Sequence, residues 1–505
     1  MQKLNQHTFW QQHQRFSKAD LATEAIHPLS INLSQLCHTN LAQAFNCFAA
    51  IEVNAINALL AYTDEIEELR KYLQQVLNNA KSRIFIAGCG SSGRLAMLIK
   101  RLYEAYYPSV NEKIIALSAG GDTSLIKSVE QFEDDAKLGV KQLLQQGFSN
   151  DDLLIGLSAN GNAPFVTAML EYAVNNAKMK PYFIFNNSKK SLAAIDNQHI
   201  CFDDRIIALS LDVGPMAITG STRLQATTAM QIALSLALLS NQTIEAEIQL
   251  ISTLIAQLTL SQMDPITTLE AQVIHNEYVL YQAEDPFIGL SLLADITERA
   301  PTFNLIPFEN SSDDSIATPS PFYFSLINCN NQQEVWLKLF GRQVVCLNWA
   351  DFPDTTNKYI NGFNLSAISP RAQQLYLKQP QHHSLWLVQQ DKLVITFKNV
   401  SISINLPQEL YYRAIVYKII LNSHSTLMLG KLDYFEGNVM LFLNPSNYKL
   451  VDRAIRLSQL ILQQNYHLEF SYAEVAAQTF KLIDKLQANQ SIVKLVVAHL
   501  KDKAG

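Results

Sequence analysis

The segment that most constrains this chain runs from Ile84-Phe-Ile-Ala87 into Gly88-Cys-Gly90-Ser91-Ser92-Gly93-Arg94-Leu95. Four consecutive apolar residues read as a strand buried on both faces, and such strands belong to parallel sheets. Glycines then force a tight turn, and the small and apolar residues after Gly93 open a helix. A strand that enters a helix through a glycine-rich turn aims backbone N–H groups and a helix N-terminus at one spot, which suits an anion. Ser91 and Ser92 add hydroxyl donors that a phosphate monoester can use. The segment reads as a cradle for a phosphorylated small molecule, with Gly90, Ser91, Ser92, Gly93 and Arg94 as candidate contacts.

The same letters spell Gly88-x-Gly90-x-x-Gly93, the dinucleotide fingerprint. That fingerprint wants a carboxylate about 20 residues on, at the tip of the second strand, for the ribose hydroxyls. Here the second strand, Lys113–Leu117, ends in Ser118-Ala-Gly-Gly121. A dinucleotide is disfavoured and no cofactor is expected. A strand–helix turn with no ligand is the bland alternative.

Strands and helices alternate beyond this point, which implies an α/β chain with parallel sheets covered on both faces. Residues 1–80 read as a helical segment. Residues 81–264 read as a first domain, with strands at Arg83–Ala87, Lys113–Leu117, Leu153–Ser158, Tyr182–Asn186 and Ile206–Leu211, then a long helix from about Ser221. Residues 265–430 repeat the alternation, with strand candidates at Tyr278–Gln282, Tyr323–Asn328, Val344–Asn348 and Leu385–Val388 and a helix at Glu409–Met428. The first of those strands runs into Ala283-Glu-Asp-Pro-Phe-Ile-Gly289, so the phosphate-turn chemistry is absent there. Residues 431–505 are helical again. Ligands in such sheets bind beyond the carboxyl ends of the strands. Ser158, Asn160, Gly161, Ser221 and Thr222 fall in loops that one such site could collect.

A net charge of −6 with no basic run argues against a nucleic-acid surface. The six cysteines are scattered, without metal-like spacing, as a reducing compartment allows. No metal site is expected. The N-terminus lacks a signal-peptide core and no apolar run approaches 18 residues, so a cytoplasmic protein away from membranes is expected.

The motifs Gly88-Cys-Gly-Ser-Ser-Gly-Arg-Leu95, Ala119-Gly-Gly-Asp122, Val129-Glu-Gln-Phe-Glu-Asp134, Ala163-Pro-Phe165 and Thr219-Gly-Ser-Thr-Arg-Leu224 stand in one order. Together they resemble the sugar isomerase (SIS) domain of the N-acetylmuramic acid 6-phosphate etherases. Thr23-Glu-Ala-Ile-His-Pro-Leu-Ser30 is similar to that family's N-terminal segment. Two such domains, the second degenerate, followed by a helical lid, resemble the related glucokinase regulatory proteins, including His424-Ser-Thr-Leu-Met-Leu-Gly-Lys431 before the lid.

The resemblance implies roles for particular residues. Ser91, Ser92 and Ser158 match residues that hold the sugar phosphate, and Lys431 matches a lysine reaching the ligand from the lid. Glu130 joins the candidate sugar contacts, and Glu133 matches the second catalytic glutamate of the etherases. The first falls at Leu102 here, but Ala294-Asp-Ile-Thr-Glu298-Arg-Ala-Pro-Thr-Phe303 in the second domain is similar to the segment that carries it. A site completed across a dimer interface would then be completed by Glu298 within one chain. Gln225 stands where the family has a lysine, and Asn160 where it has a serine.

The reading is a phosphorylated-sugar binding protein, its ligand held between two SIS domains. Its role is regulatory sensing or etherase-type elimination, with aldose–ketose isomerisation as a further alternative. Expected partners are the sugar and, for a regulator, a sugar kinase; the expected state is a monomer with an internal pseudo-dimer. His382-His383 reads as a solvated pair, and Tyr411-Tyr412 as core or domain interface.

Overall fold

A computed structural model describes residues 4–504 apart from 17–20, 111, 197–198, 276, 306–307, 309, 311–319, 444, 446 and 488–489. The first sheet contains β1 (Ile84–Gly88), β2 (Ile114–Ser118), β3 (Leu153–Leu157), β4 (Tyr182–Phe185) and β5 (Ile207–Ser210), all parallel, in the order β2-β1-β3-β4-β5. β1 and β3 are buried at every position, as strands covered on both faces must be. Strand order reverses between them, so the crevice at their carboxyl ends is the topological switch point of the sheet. Helices from Gly90–Tyr106 and Pro164–Asn176 leave that edge.

The turn after β1 has no spare volume behind it. A Cβ on Gly93 would lie 2.2 Å from Ser118 Oγ and 2.8 Å from Gly88 O. Ser118 cannot move freely, because Ser124 Oγ donates to its hydroxyl at 2.6 Å. Gly93→Ala is expected to lower stability by about 1–3 kcal/mol through overpacking. An earlier urea midpoint with an unchanged slope would show it.

The second sheet has the order β10-β9-β8-β6-β7, with β6 (Val279–Ala283), β7 (Phe322–Leu326), β8 (His383–Gln389), β9 (Lys392–Phe397) and β10 (Val400–Asn405). β6, β7 and β8 are parallel, but β8, β9 and β10 form an antiparallel extension, so this sheet is mixed rather than parallel throughout. Burial alternates along β9, as in a strand with one covered face.

Val344–Asn348 is not a strand. Its polar groups are engaged by the first sheet's unit instead. Val345 N donates to Asp122 Oδ2 at 2.7 Å, and Gln145 Nε2 donates to Leu347 O at 2.9 Å. Arg342 adds two bonds to the Asp122 carboxylate, at 2.6 and 3.0 Å.

The two units meet through helices. Gly90–Tyr106 and Gln225–Leu239 from the first pack against Pro286–Phe303 and Leu410–Gly430 from the second. The Gln225–Leu239 helix is buried at every residue. It begins four residues later than the sequence suggests, because Gly220 turns at φ +74 and neighbours hold the loop. Gly220 N donates to Thr23 O, and Thr219 N donates to Asn438 O.

The helix Leu41–Ala58 and its continuation to Asn78 are long and apolar enough, by length and composition, to cross a membrane. Here Phe45, Phe48 and Ile51 lie in the core, and Glu52 on the same helix is fully buried against Gln225. After Leu410–Gly430 a small hairpin, Phe435–Glu436 with Val439–Met440, leads into the helices Tyr448–Tyr466, Tyr472–Ile483 and Ile492–Ala504. The first of these closes over the carboxyl edge of the first sheet.

Candidate functional site

A cavity lies at the switch point between β1 and β3. Its floor is the turn after β1: Gly90, Ser91, Ser92 and Arg94 line it, together with Cys89. The Gly90–Tyr106 helix has no side-chain cap at Cys89, so its first turn faces the cavity with its backbone donors. Ser158, Asn160, Ser221 and Thr222 form the adjacent wall. Ser221 Oγ is buried without a hydrogen-bond partner among the described residues, the state of a group placed for a ligand or water.

Carboxylates enter from two directions. Glu133 comes from the segment after β2, and Glu298 comes from the Pro286–Phe303 helix of the second unit. Both line the same cavity. Glu298 Oε1 sits 3.7 Å from Arg94 Nη1, and Arg94 Nε donates to Ser124 O at 2.9 Å. Burial pushes the Glu298 carboxyl above its ordinary range, against the opposing pull of Arg94, Arg223 and Lys418. In its protonated form such a carboxyl can donate a hydrogen bond or a proton.

The lid supplies cations. Lys449 and Arg453, one turn apart on the Tyr448–Tyr466 helix, both line the cavity. Lys449 pairs with Glu133. Arg453 grips Glu24 with bonds of 2.5 and 3.0 Å, and Asn160 Nδ2 donates to the same carboxylate at 3.3 Å. Thr23 Oγ1 donates to Asn160 Oδ1 at 2.9 Å. The segment around Thr23–Glu24 is thus a strap joining the lid to the loop after β3. Asn160, where a serine was expected from the resemblance, is the residue that ties it down.

Behind the cavity wall lies a buried polar chain that crosses between the units. Arg223, which lines the cavity, donates from Nη1 to Asp295 Oδ1 at 2.9 Å. Arg299 donates to Asp295 Oδ2 at 2.7 and 3.0 Å and to the Tyr281 hydroxyl at 3.2 Å. Tyr281 donates to Glu270, which also pairs with His424.

The structure brings Gly90, Ser91, Ser92, Arg94, Glu133, Ser158, Asn160, Ser221, Thr222 and Glu298 to one cavity. Lys431 does not reach it: its ammonium donates to Cys37 O at 3.2 Å, at the carboxyl end of the Leu33–Thr39 helix, where a cation is favoured. Gly93 and Gly161 stand behind the wall. Gly93 allows close packing on Ser118, and Gly161 turns at φ +84 with its carbonyl bound by His199. The Glu130 side chain lies outside the described residues. Gln225 is turned away, donating to Glu52 at 2.7 Å and accepting from Ala217 N at 2.8 Å. His382 is buried against Tyr278 rather than solvated, and burial lowers His383 to about 4. Arg223, Lys449, Arg453 and Glu24 were not singled out from the sequence. Glu24 and Arg223 lie inside the Thr23–Ser30 and Thr219–Leu224 motifs, and for Lys449 and Arg453 the available signal was their four-residue spacing at a helix start.

Comparison with known proteins places these features in context. Residues 66–174 match the family model described as the glucokinase regulatory protein N-terminal SIS domain. The chain is 29% identical over 218 residues to N-acetylmuramic acid 6-phosphate etherase of Pasteurella multocida (strain Pm70), covering 43% of this chain and 67% of that protein. It is 31% identical over 218 residues to the protein of the same name from Enterobacter sp. (strain 638), covering 43% of this chain and 68% of that one. Among solved structures it is similar to tagatose-6-phosphate ketose/aldose isomerase from Escherichia coli, with a TM-score of 0.44 and 12% identity over 79% of this chain and 97% of the other. The chain spans about two thirds of the length of these curated relatives.

Proposed function

This chain belongs to the N-acetylmuramic acid 6-phosphate etherase family, and on that premise we propose that its cavity binds a phosphorylated sugar. One observation carries the reading. A glycine turn at an uncapped helix start, with Ser91, Ser92 and Ser158 beside it, forms one wall of a cavity whose other walls hold Glu133 and Glu298. The turn suits a phosphate dianion through backbone and hydroxyl donors. The carboxyls suit the sugar's hydroxyls.

The test is a thermal-shift screen of sugar phosphates, in which ligand at a hundred times its dissociation constant stabilises the native state by about 2.7 kcal/mol. Ser92→Ala removes a donor to a charged group, a contact of about 1.5–3 kcal/mol, and should weaken sugar-phosphate binding about tenfold or more with the fold intact. Unchanged affinity in calorimetry overturns the assignment.

A second reading, elimination of an ether substituent, is favoured by the unequal carboxyls. Glu298 is held toward its protonated form by burial, while Glu133 is paired with a lysine. One group would protonate the departing ether oxygen and the other would remove the proton alpha to an open-chain carbonyl. Release of lactate from N-acetylmuramic acid 6-phosphate separates catalyst from sensor.

The inter-unit helix packing leads to a third expected result. If it occupies the surface through which single-domain relatives pair, the chain is a monomer near its 56.7 kDa mass. A concentration-independent dimer in light scattering contradicts this.

A further inference from the structure

The loop that carries Ser221, Thr222 and Arg223 is anchored at both ends. The strap and the small hairpin hold Gly220 and Thr219. The far end runs into the Gln225–Leu239 helix, which starts without a side-chain cap. That end is held by the second unit, from one face of the Leu410–Gly430 helix. The Lys418 ammonium donates to Arg223 O, Leu224 O and Thr228 Oγ1, at 2.8, 3.1 and 2.9 Å. One turn on, Asn422 Nδ2 donates to Arg223 O at 3.1 Å. In the next turn Ser425 and Thr426 accept from the Arg223 guanidinium at 3.3 and 2.9 Å. Residues three and four apart share a helix face, so one ridge grips Arg223 by its backbone and its side chain.

The grip reaches the cavity in one step. Leu224 N donates to Ser221 O at 3.1 Å, and Thr227 Oγ1 donates to Thr222 O at 2.7 Å. Ser221, Thr222 and Arg223 line the cavity, and Lys418 stands behind them. Charged groups face Lys418 from three other elements. Glu52 comes from Leu41–Ala58, Glu298 and Asp295 come from Pro286–Phe303, and Arg223 comes from the loop itself. Arg94 lines the same small compartment as Lys418 and Glu298. Burial lowers the Lys418 ammonium to about 8; the three carboxylates oppose that fall and Arg223 adds to it.

We propose that Lys418 is a positioning residue of the sugar-phosphate site, its three hydrogens fixing the loop that presents Ser221, Thr222 and Arg223 to the sugar. The inference rests on the sugar-phosphate reading above and adds a condition to it. An ammonium has three hydrogens for the three oxygens around it. The neutral amine has two, and its lone pair turns toward the third oxygen. Loss of one proton therefore releases one anchor of the loop, and affinity declines as pH passes about 8. A guanidinium in the same place keeps its proton throughout.

The experiment is calorimetry on the full chain with glucose 6-phosphate and N-acetylglucosamine 6-phosphate from about pH 7 to about pH 9.5, where the phosphate stays a dianion. Wild-type affinity should fall about fivefold across that range, the scale of one neutral hydrogen bond. Lys418→Met should bind about fivefold more weakly at pH 7 and show no further fall. Lys418→Arg should recover most of that affinity and hold it at alkaline pH. Glu52→Gln leaves Lys418 in place but removes a carboxylate near it, and should move the midpoint of the wild-type fall to lower pH. A residue that only supported the fold would shift melting temperatures and leave these profiles alone. A flat wild-type profile overturns the proposal without any variant. An arginine variant with the wild-type fall, a methionine variant that binds as tightly as wild type, or an unmoved midpoint in Glu52→Gln overturns it too. If neither sugar phosphate binds at pH 7, the sugar-phosphate reading falls and the positioning role with it.

Discussion

Replacing Asp295 with alanine is expected to cost roughly 3–5 kcal/mol of stability, the scale for removing one partner of a buried ion pair. Asp295 is 3% exposed and serves two guanidiniums at once, Arg223 from the first unit and Arg299 from its own helix. Arg299 is wholly buried, so its charge has no route to water when the carboxylate goes. Ser425 loses its shorter hydrogen bond, 2.9 Å to Asp295 Oδ1, in the same step. The double change Asp295→Leu with Arg299→Met should recover part of the loss, because it removes both charges from the interior. Urea unfolding of the three proteins checks this. A loss below about 1 kcal/mol for the alanine variant would show that the pair adds little net stability.

Glu298→Gln is expected to give two separable results. Under the elimination reading, lactate release should fall about 10²–10⁴-fold, the usual contribution of a positioned acid or base. Phosphate-driven binding should largely survive, since the turn at Ser91 and Ser92 is untouched. The second result concerns stability. Burial raises the folded-state value of Glu298 above its ordinary 4.5, so the unfolded chain gives up this proton first as pH rises. Wild-type stability from this group is therefore whole below about pH 4.5 and declines as pH climbs through the folded-state value. Glutamine cannot ionise. The variant should gain on the wild type as pH rises from 4.5 and lose that advantage in more acid solution. Urea midpoints at several pH values would show it, and a pH-independent difference would contradict it.

The first sheet was readable because its strands are short buried runs closed by turn residues, and Ile84–Ala87 before Gly88 is the plainest of them. Val344–Asn348 has the same apolar look, but Asp122 and Gln145 take its backbone groups, and no local pattern announces partners some two hundred residues away. The β8–β9–β10 extension was largely missed because its turns carry no glycine. Gln390 and Lys398 turn at φ +56 and +52, positions where Asn or Gly would have signalled a hairpin. Glu298 could be found from its sequence surroundings, whereas Lys431 was misplaced because a lid lysine by sequence order need not be one in space. Lys449 and Arg453 looked like an ordinary charged helix face. Their partners, Glu133 and Glu24, lie over three hundred residues earlier.

That last separation matters for a chain emerging from a ribosome. The strap at Glu24 is made well before its anchor Arg453, which follows 429 residues later. At roughly 5–20 residues per second, the glycine turn and its serines spend about twenty seconds to over a minute without their roof. The first sheet can fold in that interval, but the nascent chain cannot enclose a ligand until the Tyr448–Tyr466 helix arrives. Closure of the cavity on this side is therefore acquired in one late step rather than gradually.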